Sequence, residues 1–158
     1  MMGLLSPSET WTALSTKCSG GNGVTKALDT NIVVRLFVDD GSKEVPIARK
    51  VFQREHIEIP LTVILEFEWV LRSVYKFKTT AICQALDALL GLRNVAVQNE
   101  DVVADALEAL RNGVPFADAI HLLTVEKADE LLTFDVSFKR RASRIAHAIP
   151  VRIPTLNS

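Results

Sequence analysis

Residues 26–36 read Lys-Ala-Leu-Asp-Thr-Asn-Ile-Val-Val-Arg-Leu, and this stretch decides the fold class. Its first three residues predict a short strand that ends at Asp29. Asn31 is typical of a helix N-cap, because its side chain can accept a hydrogen bond from a free backbone amide, and residues 32–38 are predicted as the helix that follows. Asp29 is therefore predicted to lie at a junction between a strand and a helix.

The same alternation of strands and helices continues along the chain. Short apolar strands are predicted at residues 57–59, 95–97, 131–133 and 151–153, and helices at residues 43–55, 63–75, 79–90, 101–111, 116–126 and 138–146. Strands that alternate with helices indicate parallel strands joined by right-handed crossovers, with helices on both faces of the sheet. The pattern therefore predicts an α/β fold.

The composition indicates one domain and gives no bulk signal for nucleic acid. The chain has 158 residues, 48% of them hydrophobic, and a formal net charge of -1, so any contact with RNA must be local. The two cysteines form no metal-binding or disulfide pattern, which favours a reducing cytoplasm. The mean hydropathy is +0.20, but charges interrupt every apolar run before the roughly 18 residues of a membrane span, so we predict no membrane association.

Residues 1–23 differ from the rest because they are rich in Ser, Thr and Gly. We interpret them as a disordered N-terminal extension, or as sequence upstream of a translation start at Val24. They lack the basic start and apolar run of a secretory signal. Residues 24–158 are predicted to form the single domain.

Four acidic residues stand among apolar neighbours instead of on a polar face, namely Asp29, Glu66, Asp118 and Asp135. Carboxylates in such a setting are usually paired or bound to metal. Two of them follow predicted strands and two open predicted helices. Because ligands bind at the carboxyl ends of parallel strands, all four can meet at one rim of the sheet.

Taken singly, each acid is equally well explained as a helix-start or turn-capping residue. Together they are harder to dismiss, because two unpaired carboxylates about 4 Å apart repel by roughly 4 kcal/mol at an effective dielectric near 20. No Lys or Arg adjoins any of them in sequence. The cluster therefore predicts an oxygen-preferring cation, Mg²⁺ or Mn²⁺, which can activate water for phosphodiester hydrolysis.

Four segments resemble, in order, the acidic motifs of PIN domains: residues 27–36, 60–71, 116–121 and 131–135. The likeness extends over residues 26–154 and is to ribonucleases of the VapC toxin type. It implies a three-layer α/β/α fold with a central parallel sheet, and a magnesium-dependent endoribonuclease whose catalytic and metal-binding residues are Asp29, Glu66, Asp118 and Asp135. It also implies the toxin of a type II toxin–antitoxin pair, with a cognate antitoxin and a homodimer.

Other polar residues near these motifs have candidate supporting roles. Glu68 lies two residues from Glu66 and faces another direction on the helix, so we interpret it as an auxiliary or surface acid. Three residues can orient carboxylates or waters around a metal, or can simply be caps: Thr30, Asn31 and Thr133. Four basic residues are candidates for contacts with the RNA backbone, or for a solvated helix face: Lys139, Arg140, Arg141 and Arg144.

Two alternative functions remain open. One is a catalytically inactive PIN-fold scaffold that only binds partners. The other is a metal-dependent phosphatase or DNA nuclease. A dehalogenase-type phosphatase would place a second Asp two residues after Asp29, where this chain has Asn31. A DNA nuclease would need only different contacts to the sugar.

Overall fold

The computed structural model describes residues 3–4 and 24–156, which belong to two compact units divided between Glu100 and Asp101. Gly3–Leu4 (β1) pairs antiparallel with Val38–Asp39 (β3). The remainder of the predicted extension, residues 1–2 and 5–23, lies outside the described residues, and both its disorder and the single domain stay predictions. No helix in the described ranges is long and apolar enough to cross a membrane.

The first unit contains a parallel sheet of three strands, in the order β2 (Thr25–Ala27), β4 (His56–Ile59) and β5 (Val95–Val97). Both isoleucines of the central strand are buried. The amide of Leu28 donates to the carbonyl of Glu58 at 3.3 Å, which extends the pairing to the residue before Asp29. The predicted α/β class with parallel strands is confirmed.

Four helices belong to this unit: α1 (Thr30–Phe37), α2 (Glu44–Arg54), α3 (Leu61–Ser73) and α4 (Thr79–Leu90). Each buries an apolar face, as their helical repeats predict. The rings of Phe37 and Phe67 lie 5.1 Å apart at 52°, and both side chains are buried. This contact packs α1 against α3, the helices that carry Thr30 and Glu66.

The second unit begins within α5 (Glu100–Arg111), followed by α6 (Phe116–Leu123), β6 (Leu131–Leu132), α7 (Val136–Ala142) and β7 (Val151–Arg152). Strands β6 and β7 are parallel. Helix α5 ends in a Schellman motif, in which the amide of Val114 donates to Ala109 and that of Gly113 to Leu110. Gly113 adopts φ 82°, and Pro115 is the N-cap residue that precedes α6. This tight turn places Asp118 in the first turn of α6.

Three helices, α1, α3 and α7, begin two residues earlier than predicted. Asp29, not Asn31, is the N-cap of α1, because Asp29 keeps the extended backbone of the strand end and its Oδ1 accepts from the amide of Thr30 at 2.8 Å. Pro60 precedes α3, and its carbonyl accepts from Val63 and Ile64. As a result Glu66 lies in the second turn of α3, not in the first.

Candidate active site

In the first unit, Asp29 and Glu66 both contact Thr30. The Thr30 amide donates to Asp29 Oδ1 at 2.8 Å, and the Thr30 hydroxyl donates to Glu66 Oε2 at 2.5 Å. Thr30 itself is buried, whereas both carboxylates are exposed. The start of α1 and the second turn of α3 therefore present two solvent-facing carboxylates around one buried threonine.

In the second unit, Asp118 and Asp135 both contact Arg141. Arg141 Nη2 lies 2.9 Å from Asp118 Oδ2 and 3.8 Å from Asp135 Oδ2. The guanidinium also donates from Nη1 to Ser137 Oγ at 3.0 Å. No Lys or Arg adjoins these two acids in sequence, but the fold of this unit brings Arg141 of α7 to both of them.

Asp135 is the N-cap of α7. Its Oδ1 accepts from the amides of Ser137 and Phe138 and from the Ser137 hydroxyl, at 2.7 to 2.9 Å. The hydrogen bond from the Phe138 amide is the largest of the effects that hold the pKa of Asp135 below its usual value of 3.8, followed by that from the Ser137 hydroxyl, with the charge of Arg141 contributing less. Asp135 is thus an anion at neutral pH with Oδ2 left for another partner.

The remaining predicted residues have various environments. Thr133 Oγ1 accepts from the Asp135 amide at 3.0 Å, so it shapes the turn before α7. Asn31 is exposed on the first turn of α1. Lys139 and Arg140 are exposed with no ion pair among the described residues, whereas Arg144 donates to the carbonyl of Asn112 at 3.2 Å.

Glu68 is buried and pairs with Arg72 one turn later, with Arg72 Nε 2.7 Å from Glu68 Oε1. The salt bridge compensates the carboxylate, which explains how an acid can occupy the apolar face of α3. Glu68 is therefore not a surface acid, and its charge is already neutralised inside the fold.

The predicted carboxylates thus occur as two pairs, one in each unit. Among the described residues, no three His, Cys, Asp or Glu side chains are grouped closely enough to hold a metal ion. The donor chemistry of each pair nevertheless fits a divalent cation, because all four side chains are carboxylates, and Mg²⁺ and Mn²⁺ prefer oxygen ligands. Asp29, Glu66 and Asp135 are exposed, and Asp118 is partly so, which leaves them accessible to ions from solvent.

Comparison with known proteins agrees with the motif order. The chain matches the PIN domain family over residues 26–143, a range that includes all four carboxylates and parts of both units. No curated protein and no solved structure matches the chain. PIN domains are generally nucleases that depend on divalent metal ions. The family match covers more than half of the sequence, and the chain belongs to the PIN domain family, whose α/β fold the sequence predicted.

Proposed function

We propose that this PIN domain is a magnesium-dependent endoribonuclease that acts in the cytoplasm as the toxin of a type II toxin–antitoxin pair. Asp29, Glu66, Asp118 and Asp135 hold the metal, and Mn²⁺ can replace Mg²⁺. The observation that carries the proposal is the placement of these acids in the family match: each is paired with a second one through a shared partner, Thr30 or Arg141.

The paired arrangement is what a metal-binding role requires of the chain. Two carboxylates near one another are stable only with a cation or protons nearby, since at about 4 Å they repel by roughly 4 kcal/mol at an effective dielectric near 20. Around Thr30, neither carboxylate forms a salt bridge with a Lys or Arg of the described residues, which leaves the pair available to a metal ion. The proposal requires both pairs to serve the same reaction.

A bound divalent metal ion would activate the attacking water and neutralise charge on the phosphate and leaving oxygen. The protein's own contribution is to orient the ligands. Thr30 holds Glu66 through its hydroxyl, and the N-cap bonds of α7 engage Asp135 Oδ1 and leave Oδ2 for a ligand. Positioned carboxylates bind metal with less loss of side-chain freedom than mobile ones.

For the RNA backbone we propose contacts from exposed basic residues of α7 and its C-terminal end. Lys139, Arg140 and Arg144 are exposed, and the first two carry charges without an acidic partner in the described ranges. Such residues position phosphates without selecting bases. Arg141, the fourth residue predicted for this role, is engaged with Asp118 and Asp135, so its charge is directed to the carboxylates.

The test is cleavage of single-stranded RNA by the purified full-length protein, with Mg²⁺, Mn²⁺ or EDTA, and with a DNA strand of the same sequence in parallel. We expect discrete fragments of RNA only, formed only with metal. Asp29→Asn should lower the cleavage rate by about a hundredfold or more, since even residues that only support metal ligands cost 10- to 100-fold. The matched control is Asp105→Asn, an exposed acid on α5 outside the four motifs.

Equal cleavage by wild-type protein and Asp29→Asn would overturn the assignment. Cleavage of DNA alone would favour the DNA nuclease, and metal binding without cleavage of either strand would favour the inactive scaffold. The toxin role has its own test, which is induced expression in bacteria. We expect growth arrest by the wild-type chain and normal growth with Asp29→Asn, and no arrest by either would contradict it.

The antitoxin and the homodimer are separate parts of the proposal. Apolar side chains exposed in each unit, such as Trp69 at 57% and Phe134 at 83%, are suited to protein partners. Sedimentation of the purified chain should give the mass of a dimer, and co-expression with the adjacent open reading frame should abolish both growth arrest and cleavage. Sedimentation as a monomer at all protein concentrations would contradict the proposed homodimer.

A further inference from the structure

Arg141 occupies the oxygen atoms that a metal ion would need in the second unit. Asp135 Oδ1 already accepts three hydrogen bonds, so Oδ2 is the atom of this carboxylate that is left for a ligand. Arg141 Nη2 lies 3.8 Å from that Oδ2 and 2.9 Å from Oδ2 of Asp118. A divalent cation held by these two carboxylates would compete with the guanidinium for the same Oδ2 atoms.

The hydrogen bonding of the Arg141 guanidinium is incomplete in this position. Arg141 Nε is buried and has no hydrogen-bond partner among the described residues, although an unsatisfied buried N–H on a charged group is costly. The longer contact, to Asp135, exceeds hydrogen-bond distance. The side chain is 22% exposed, so a path to solvent is open to it. Arg141 therefore balances the negative charge of the two acids but leaves them accessible to another cation.

We propose that Arg141 is a positioning residue for the metal ligands: it holds Asp118 and Asp135 together in the metal-free protein and gives up their Oδ2 atoms when a divalent cation binds. This inference rests on the proposed function, and it adds an internal competitor to the metal site. A guanidinium and a metal ion that share the same two carboxylates repel each other. Arg141 would therefore lose one or both of its contacts when the metal binds. Its presence lowers metal affinity and stabilises the metal-free state.

A purely structural arginine and a phosphate-binding arginine give different expectations. Loss of a structural arginine would lower stability to the same extent with and without metal. Loss of a phosphate-binding arginine would weaken RNA binding and leave metal affinity unchanged. Only a competitor gives tighter metal binding when it is removed.

The experiment measures Mn²⁺ binding by electron paramagnetic resonance to the full-length protein after EDTA treatment, with no RNA present. We expect Arg141→Gln to bind Mn²⁺ roughly five- to tenfold more tightly than wild type, the amount set by loss of one partly exposed ion pair. The matched control is Arg140→Gln, which removes the same charge from the same helix without touching either acid, and it should bind within about twofold of wild type.

Thermal unfolding of the same proteins gives a second readout. Arg141→Gln should unfold at a lower temperature than wild type in EDTA and gain more from saturating Mn²⁺, since tighter binding stabilises the folded state more. Arg141→Lys keeps a charge but cannot contact both carboxylates as the planar fork does, and we expect intermediate affinity. If Arg141→Gln does not fold without metal, Arg141→Lys replaces it in the binding measurement.

Unchanged or weaker Mn²⁺ binding by both Arg141→Gln and Arg141→Lys, with wild type binding normally, would overturn this inference and leave the proposed function standing. Absence of Mn²⁺ binding by all of the proteins, wild type included, would overturn both. The two failures are thus distinguished by the wild-type titration alone.

Discussion

The hydroxyl of Thr30 donates a hydrogen bond to Glu66, a residue 36 positions further along the chain, while the amide of the same threonine donates to Asp29. Thr30 is buried at the start of α1, and Glu66 is exposed in the second turn of α3. One residue therefore orients two proposed metal ligands, Glu66 through its side-chain hydroxyl and Asp29 through its backbone amide.

Replacement of Thr30 by Val removes this hydroxyl and nearly preserves the volume. We expect the Mn²⁺ affinity to fall about tenfold, as for other residues that orient metal ligands, and the free energy of unfolding to fall by about 1 kcal/mol. Thr30→Ser, which keeps the hydroxyl, is the matched variant and should retain wild-type affinity. Titration with Mn²⁺ and unfolding in urea measure the two effects, and equal affinities for the Val and Ser variants would contradict this role of Thr30.

The packing of α1 on α3 depends on Phe67, which is fully buried 5.1 Å from the ring of Phe37. Phe67→Ala should lower the free energy of unfolding by about 3–5 kcal/mol, since it leaves a cavity in the core. Trp69→Ala removes a larger side chain from the same helix, but Trp69 is 57% exposed, and we expect a change within about 0.5 kcal/mol. Urea unfolding of both variants tests this, and a greater loss for Trp69→Ala would contradict the described core.

The fold class was predictable from sequence because it depends on local patterns. Short apolar runs between amphipathic helices identified strands β2, β4, β5, β6 and β7, although not β1 and β3, and strand β5 has the predicted bounds, Val95–Val97. Helix starts were less predictable. Asp29 and Asn31 are both good N-caps, and the choice between them depends on the extended backbone that Asp29 inherits from the sheet.

The partners of the candidate site residues could not be predicted in the same way. Arg141 is 23 residues from Asp118, and nothing in their spacing indicates the 2.9 Å contact, which depends on how α6 and α7 pack. Glu68 and Glu66 have similar neighbours in sequence, yet one is buried with Arg72 and the other faces solvent. The chemistry of single residues was evident, whereas their pairing depends on tertiary structure.

Asn94 joins the end of α2 to the beginning of β5. Its side-chain amide donates to the carbonyls of Phe52 and Glu55 at 2.7 and 2.8 Å, and the residue is only 7% exposed. Asn94→Ala should lower the free energy of unfolding by about 2–3 kcal/mol, because one buried carbonyl and one partly buried carbonyl lose a donor. Asn94→Asp should cost more, since a carboxylate oxygen would then face those carbonyls. Urea midpoints give the order, and a more stable Asp variant would contradict the assignment.

Acid should weaken the N-cap of α7 through Asp135. The amide of Phe138 and the hydroxyl and amide of Ser137 hold the pKa of Asp135 below 3.8, the value to which it returns on unfolding. Because the folded pKa is the lower one, the ionised carboxylate stabilises the fold fully above the unfolded pKa, and this contribution is lost as the pH falls through the folded pKa.

The Asp135→Asn variant isolates this contribution, because asparagine also accepts the N-cap hydrogen bonds but does not titrate in this range. In EDTA, wild type should melt at a higher temperature than Asp135→Asn, and this difference should be largest near neutral pH. The difference should shrink as the pH falls from about 5 to about 2. Asp105→Asn, which changes an exposed acid of α5, is the matched control. A wild-type advantage that stays constant with pH would mean that the charge of Asp135 does not stabilise α7.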